Sequence, residues 1–220
     1  METRTPKRPR RGLFVSFEGI DGCGKSTQAK LAAKYLRKLG YRVSAVREPG
    51  SAPVSEKIRK ILLDRNLAIE PYPELWLYLA SRGQVVRQTI IPALSEGAIV
   101  LSDRFHDSTV AYQGYGRGLD LKLIERCRSQ TVGAVMPDLT CIFDIDWQTS
   151  LGRRKKSADR LEREPELFFK RVRAGFRKIA GKNPRRTCLI DARPAPEVIF
   201  ERVKHELDAL LSRKARSLRQ

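Results

Sequence analysis

The chain has only two histidines and four scattered cysteines, Cys23, Cys127, Cys141 and Cys188. No two cysteines form a C-x-x-C pair. That argues against a zinc site and against a disulfide framework, and it fits a reducing cytoplasm. Long apolar runs are also missing: none approaches the ~18 residues a membrane span needs. The Leu13–Phe17 run behind the basic N-terminus is too short for a signal-peptide core. Acidic residues are scarce, 25 against 44 basic, for a net charge of +19. What remains is globular, with 41% hydrophobic residues in 220. One domain of that length buries a core without disulfides or a structural metal.

The location of the charge says more than its size. Residues 1–12 carry net +4, residues 151–187 net +10 and residues 212–220 net +4, together +18 of the +19. The body is therefore near neutral, and the two ends read as disordered basic tails. The concentrated segment between them wants phosphate: nucleotide, nucleic acid or an acidic surface. The organisation expected is a tail over 1–12, a single domain over 13–211 and a basic tail over 212–220.

Apolar runs at Leu13–Phe17, Arg42–Val46, Ala98–Leu101, Leu139–Ile145 and Cys188–Ile190 read as strands. Between them lie helical patterns, including a long one from Pro73 to Leu94 and others over Leu119–Ser129, Glu166–Ala180 and Pro196–Leu211. Strands alternating with helices predict an α/β fold with a parallel sheet covered on both faces. Ligands in such folds sit outside the carboxyl ends of the strands. Functional residues are thus expected just after Phe17, Val46, Leu101 and Phe143.

Gly19-Ile20-Asp21-Gly22-Cys23-Gly24-Lys25-Ser26 fits G-x-x-x-x-G-K-[ST] between an apolar strand and an amphipathic helix. The glycines let backbone N–H groups curl around phosphate oxygens, and the helix N-terminus adds partial positive charge. Lys25 supplies a point charge for the β- and γ-phosphates, and the Ser26 hydroxyl suits Mg²⁺. Gly19 through Thr27 are the candidate ATP-binding residues. Cys23, near a helix N-terminus and beside Lys25, is either a small space-filling side chain or a reactive thiol. No N-K-x-D tetrad follows the Leu139 strand, so the chain is not read as a GTPase.

Four further blocks follow in order. Arg47-Glu48-Pro49-Gly50-Ser51 precedes Glu56-Lys57-Ile58-Arg59-Lys60-Ile61-Leu62-Leu63. Glu74-Leu75-Trp76-Leu77-Tyr78-Leu79-Ala80-Ser81-Arg82 places Tyr78 and Arg82 on one helix face. Asp103-Arg104-Phe105 leads to Ser108-Thr109-Val110-Ala111-Tyr112-Gln113-Gly114. Arg153-Arg154-Lys155-Lys156 precedes Asp159-Arg160-Leu161-Glu162. With the P-loop, these blocks resemble the thymidylate kinases over roughly residues 13–210. Ser51 stands where the bacterial pattern has a second glycine, and Tyr78 where a phenylalanine is usual.

The resemblance implies a P-loop nucleoside monophosphate kinase-like three-layer sandwich on a five-stranded parallel sheet, with a lid over about 150–163. It implies transfer of the ATP γ-phosphoryl to dTMP with Mg²⁺, which Ser26 and Asp103 would hold. The dTMP would meet Asp21, Pro49, Tyr78, Arg82, Arg104, Thr109, Tyr112 and Gln113, with Tyr112 against C2′ and Asp21 reaching the 3′-hydroxyl. Lys25, Asp103 and Arg104 are the implied catalytic groups, joined by lid arginines among Arg153, Arg154 and Arg160. A cytoplasmic homodimer is expected, with no membrane and no specific nucleic acid as partner. The alternatives are a kinase for another nucleotide or deoxynucleoside acceptor, and a nucleic-acid-binding ATPase.

Overall fold

The computed structural model describes residues 12–153 and 159–217. Strand β1 (Leu13–Gly19) is buried at every position, Ser16 and Glu18 included, as the central strand of a parallel sheet covered on both faces is. It pairs in parallel with β3 (Ile99–Asp103) and β4 (Leu139–Asp144), and the edges are β2 (Val43–Arg47) and β5 (Thr187–Asp191). The order is β2-β3-β1-β4-β5. The register sets Phe17 beside Asp103, Gly19 beside Phe143 and Asp144 beside Asp191. All five carboxyl ends therefore open on one edge, where the connecting loops gather.

Alternate β1 side chains serve different layers, as the two-residue period of a strand requires. Leu13, Val15 and Phe17 join one cluster with Ala32 and Leu36 of α1 (Lys25–Lys38) and with Val203 and Leu207 of α9 (Pro196–Ser217). Phe14 joins a second cluster with Val85, Val86, Ile90 and Leu94. Phe14 and Phe17 are fully buried, each stabilising the fold by roughly 1.5–3 kcal/mol. The long helix expected from Pro73 to Leu94 is a rod of three parts: α3 (Pro71–Val85), a π-helical turn (Val86–Ile90) and α4 (Ile91–Ser95).

The remaining helices pack on the sheet and on one another. They are α2 (Pro53–Leu63), α5 (His106–Thr109) running into a π-helical stretch (Val110–Gly116), α6 (Leu121–Val132), α7 (Trp147–Gly152) and α8 (Glu166–Lys182). One expectation is corrected. Residues 212–217 are not a disordered tail, because α9 continues through Ser217. Lys214 and Arg216 lie in its last turn, where cations complement the helix dipole. The N-terminal tail up to residue 11, and Arg154, Lys155 and Lys156 of the lid, lie outside the described residues.

Candidate active site

The P-loop leaves β1 and enters α1 through Gly24, whose φ of 88° is left-handed. No side chain caps α1 and its first turn holds no acid, so the helix N-terminus keeps its donors for an anion. Gly22 is also left-handed, at φ 80°, and a Cβ there would come within 2.5 Å of the Ser150 carbonyl oxygen. No side chain fits at that position without moving α7. The Ser150 hydroxyl in turn donates to the Asp21 carbonyl at 2.5 Å, tying α7 to the loop.

Two clefts meet at this loop. The larger is lined by Gly22, Cys23, Gly24, Lys25, Ser26 and Thr27 and by Arg153 and Arg193–Pro196. The second is smaller, and Asp21, Pro49, Tyr78, Arg82, Arg104, Thr109, Tyr112 and Gln113 all line it. Every residue that the resemblance assigned to dTMP thus faces one cavity. Of the nine expected ATP residues, Gly22 to Thr27 line the larger cleft. Ile20 is buried in the core, Gly19 gives its carbonyl to Arg104 at 2.9 Å, and Asp21 faces the smaller cleft.

Arg104 stands where the clefts join. It holds φ 74°, a left-handed conformation that costs a non-glycine residue energy. Its N–H is bound to the Phe17 carbonyl, and the Ser102 hydroxyl donates to the Arg104 carbonyl at 2.5 Å. Its guanidinium donates to Asp21 at 2.6 Å and to the Tyr112 hydroxyl at 3.2 Å, and lies 4.9 Å from the Tyr112 ring centroid. Lys25 donates to the same Asp21 at 3.2 Å. Burial alone would raise the Asp21 carboxyl, but Arg104 and Lys25 outweigh it and hold the group well below the usual carboxylate range.

The floor of the smaller cleft is braced by Arg82, one of the largest fully buried side chains. It donates to Glu48 at 2.6 Å, to the Thr109 hydroxyl at 2.8 Å and to the Phe105 carbonyl at 3.0 Å. Each Nη carries a second hydrogen that, among the described residues, takes no protein acceptor. The Tyr78 hydroxyl is pushed above its ordinary range, mainly by burial, so it stays neutral. Beneath Arg104, Glu18 accepts from the Phe105 N–H at 2.7 Å and from the Ser108 hydroxyl at 2.5 Å. Burial first, and Asp107 second, push its carboxyl up to about 8.

Ser26 Oγ hydrogen-bonds Asp103 Oδ2, and the other Asp103 oxygen is buried with no partner among the described residues. This hydroxyl-plus-carboxylate pair beside the P-loop lysine fits Mg²⁺, which takes few protein oxygens and fills its shell with phosphate and water. Among the described residues no group of three or more His, Cys, Asp or Glu could hold a metal by itself. Of the lid cations, Arg153 lines the P-loop cleft and donates to the Ala192 and Arg193 carbonyls at 2.7 Å. Arg160 is turned away, bound to Glu74 at 2.6 Å.

Of the two readings of Cys23, burial favours the small space-filling side chain over the reactive thiol. It is fully buried in the core, and burial pushes its thiol up despite Lys25. Sequence reasoning missed Arg59 and Leu63, which line the smaller cleft one helical turn apart; the i, i+4 spacing on α2 was the available signal. It also missed Arg193–Pro196, although the rule that sites lie beyond strand carboxyl ends applies to β5 as to the other four.

The thymidylate kinase family model matches residues 17–203. A thymidylate kinase of Geobacter sulfurreducens is 46% identical over 214 residues, covering 93% of this chain and 99% of that protein. One from a Thermoanaerobacter species is 48% identical over 182 residues, 82% of this chain and 90% of its own. The crystal structure of thymidylate kinase from Ehrlichia chaffeensis superposes with a TM-score of 0.75 at 36% identity, covering 90% of this chain and 99% of that one. With that likeness running through the P-loop and both clefts, the chain belongs to the thymidylate kinase family.

Proposed function

We propose that ATP occupies the P-loop cleft and dTMP the smaller cleft, with the γ-phosphoryl passing between them over the loop. As a thymidylate kinase the chain phosphorylates dTMP to dTDP in nucleotide biosynthesis. The observation that carries the placement is the division of one loop between two cavities: Asp21 lines one and Gly22 the other. A phosphate on each side then meets at Lys25 and Arg104.

In this reading Tyr78 stacks on thymine, while Arg82, Thr109 and Gln113 address its edge. Pro49 walls the cleft, Tyr112 packs against C2′ and Asp21 reaches the 3′-hydroxyl. Arg104 clamps the acceptor phosphate, whose ionised oxygen forms the new P–O bond as the bond to the ADP leaving oxygen breaks. No protein base is needed. Lys25 neutralises charge on the transferring group, and positioned cations of this kind supply most of the catalysis in phosphoryl transfer. Mg²⁺, held through Ser26 and Asp103, would neutralise the phosphate oxygens when bound.

A homodimer of the cytoplasm is the assembly the resemblance implies. The half-exposed Trp76, beside an apolar groove lined by Leu79, Ala80 and Cys127, is the face offered to the second copy. No described helix is long and apolar enough to cross a membrane. The test is ADP release measured with dTMP, dUMP, ribo-TMP, CMP and no acceptor. The greatest kcat/KM is expected with dTMP; preference for another acceptor, or hydrolysis stimulated by DNA or RNA, overturns the reading.

A further inference from the structure

Glu74 is a carboxylate in α3 with no exposed side-chain surface, and it lines neither cleft. Its two oxygens receive four donors. Gln113 Nε2 reaches Oε1 at 2.9 Å, Arg117 Nε reaches Oε1 at 3.2 Å and Arg117 Nη2 reaches Oε2 at 3.0 Å. Arg160 Nη2 reaches Oε2 at 2.6 Å. Burial would raise this carboxyl, but Arg117, Gln113 and Arg160 together hold it below its ordinary value.

The donors come from different parts of the site. Gln113 is part of the wall of the smaller cleft. Arg160 belongs to the lid, between Asp159 and Leu161, which both line that same cleft. Arg160 is also pinned by its Nε–H to the Leu62 carbonyl at 2.9 Å, one residue before the cleft-lining Leu63. Arg117 bridges Glu74 to Glu164 at 2.6 Å, just beyond the lid's 3₁₀ turn (Leu161–Arg163). Asp159 and Glu162 brace that turn reciprocally: the Glu162 N–H donates to the Asp159 carboxylate at 3.0 Å and the Asp159 N–H to the Glu162 carboxylate at 3.1 Å. If Arg160 withdraws, Glu74 keeps Arg117 and Gln113, so its charge is never left buried and unpaired, the costly condition.

We propose that Glu74 is a positioning residue that couples the acceptor cleft to closure of the lid. The carboxylate that orients Gln113 also receives Arg160, so a filled cleft favours the docked lid and a docked lid fixes Gln113. Arg160 then serves as the latch and not as the cation on the transferring phosphoryl. This rests on reading the smaller cleft as the dTMP site.

The experiment is a double-mutant cycle of Glu74→Gln and Arg160→Gln, with KM for dTMP and for ATP measured separately. Each single variant is expected to raise KM for dTMP roughly 5- to 100-fold, the range of typical coupling energies. KM for ATP should stay within about twofold, and the double variant should be no worse than the worse single one, as residues sharing one interaction behave. Effects that multiply, an equal rise in KM for ATP, or an Arg160→Gln loss confined to kcat overturns the proposal. If Glu74→Gln does not fold, Arg160→Lys carries the test. Lysine keeps the ion pair, so it should lie closer to the wild type than Arg160→Gln; equal damage overturns the latch. Tyr78→Ala separates this from the underlying reading. If Tyr78→Ala raises KM for dTMP and the Glu74 and Arg160 variants do not, only the latch fails. If none of them does, the dTMP placement fails.

Discussion

The Arg104 guanidinium lies 2.6 Å from the Asp21 carboxylate, 83 residues earlier in the chain, and this pair joins the two clefts. Asp21 arrives at the end of β1 and Arg104 at the end of its neighbour β3, so the sheet register brings them together. A phosphate entering the smaller cleft competes with Asp21 for the guanidinium. Arg104→Ala should therefore raise KM for dTMP far more than KM for ATP. Charge-assisted hydrogen bonds are worth about 1.5–3 kcal/mol, or roughly 10- to 100-fold. Initial rates at varied dTMP and at varied ATP check this; equal rises would place Arg104 outside the acceptor site.

Lys25 is nearly buried at the start of α1, with Asp21 as its partner at 3.2 Å. Lys25→Ala should lower kcat by about 10²–10³-fold or more, the usual cost of removing one charge-stabilising donor. Circular dichroism should show an unchanged fold. Near-normal kcat in a folded variant would sink the P-loop assignment.

Much of this site was legible because chemistry concentrates after strand ends. The P-loop, the Asp103-Arg104 pair and the Tyr78/Arg82 helix face could all be placed from spacing and resemblance. What the sequence hid depends on side-chain reach. Arg160 reads as one more lid cation, yet its guanidinium is bound to Glu74, whose place in the α3 block gave no sign of that role. Arg193–Pro196 follows an edge strand whose apolar run, Cys188–Ile190, is too short to advertise a site. Ser51 shows the same limit. It takes a left-handed φ of 68° where the bacterial pattern has glycine. Its hydroxyl accepts the Arg47 N–H at 2.8 Å, and its own N–H reaches Glu56 at 2.7 Å. Those bonds offset the strain, and no local pattern announces them.

Tyr112 should set the sugar preference. Its hydroxyl donates to Asp21 at 3.1 Å and its ring is packed edge-on by Phe168 and Phe176. The ring is thus fixed in the cleft wall and cannot yield to a ribose hydroxyl. Tyr112→Ala should narrow the ratio of kcat/KM for dTMP over ribo-TMP, whereas Tyr112→Phe should keep it. An unchanged ratio in the alanine variant would remove the ring from the sugar site.

Glu18 gives a pH prediction. Its carboxyl, facing Asp107 and Arg104, is pushed up to about 8 from an ordinary 4.5. A raised carboxyl binds its proton more tightly in the fold than in the unfolded chain. The stability that proton brings is present below about pH 4.5 and is lost as pH rises toward 8. Glu18→Gln imitates the protonated form and has nothing to lose. Thermal melts at pH 5 to 8.5 should show the variant gaining on the wild type as pH rises. A constant difference in Tm across that range would show that Glu18 does not titrate there.

The source of the cation on the transferring phosphoryl follows from Gly22. Some thymidylate kinases carry an arginine at this P-loop position, but here its left-handed φ and the Ser150 carbonyl 2.5 Å from any Cβ exclude a side chain. We expect further charge, beyond Lys25, Arg104 and the metal, to come from the lid. Arg160 is engaged by Glu74, which leaves Arg153, on the rim of the P-loop cleft, and its neighbour Arg154. Arg153 spends its guanidinium on the Ala192 and Arg193 carbonyls, neutral acceptors that a phosphoryl group outcompetes. Single alanine substitutions at Arg153, Arg154, Lys155, Lys156 and Arg160 should be measured at saturating ATP and dTMP. Arg153→Ala or Arg154→Ala should lose kcat by about 10³-fold, as removal of an arginine finger does. KM should change little, because the contact forms mainly in the transition state. Arg160→Ala should show its effect in KM for dTMP instead. If all five variants and the Arg153/Arg154 double variant keep kcat within a few-fold, the lid only excludes water and the phosphoryl is neutralised by Lys25 and the metal alone.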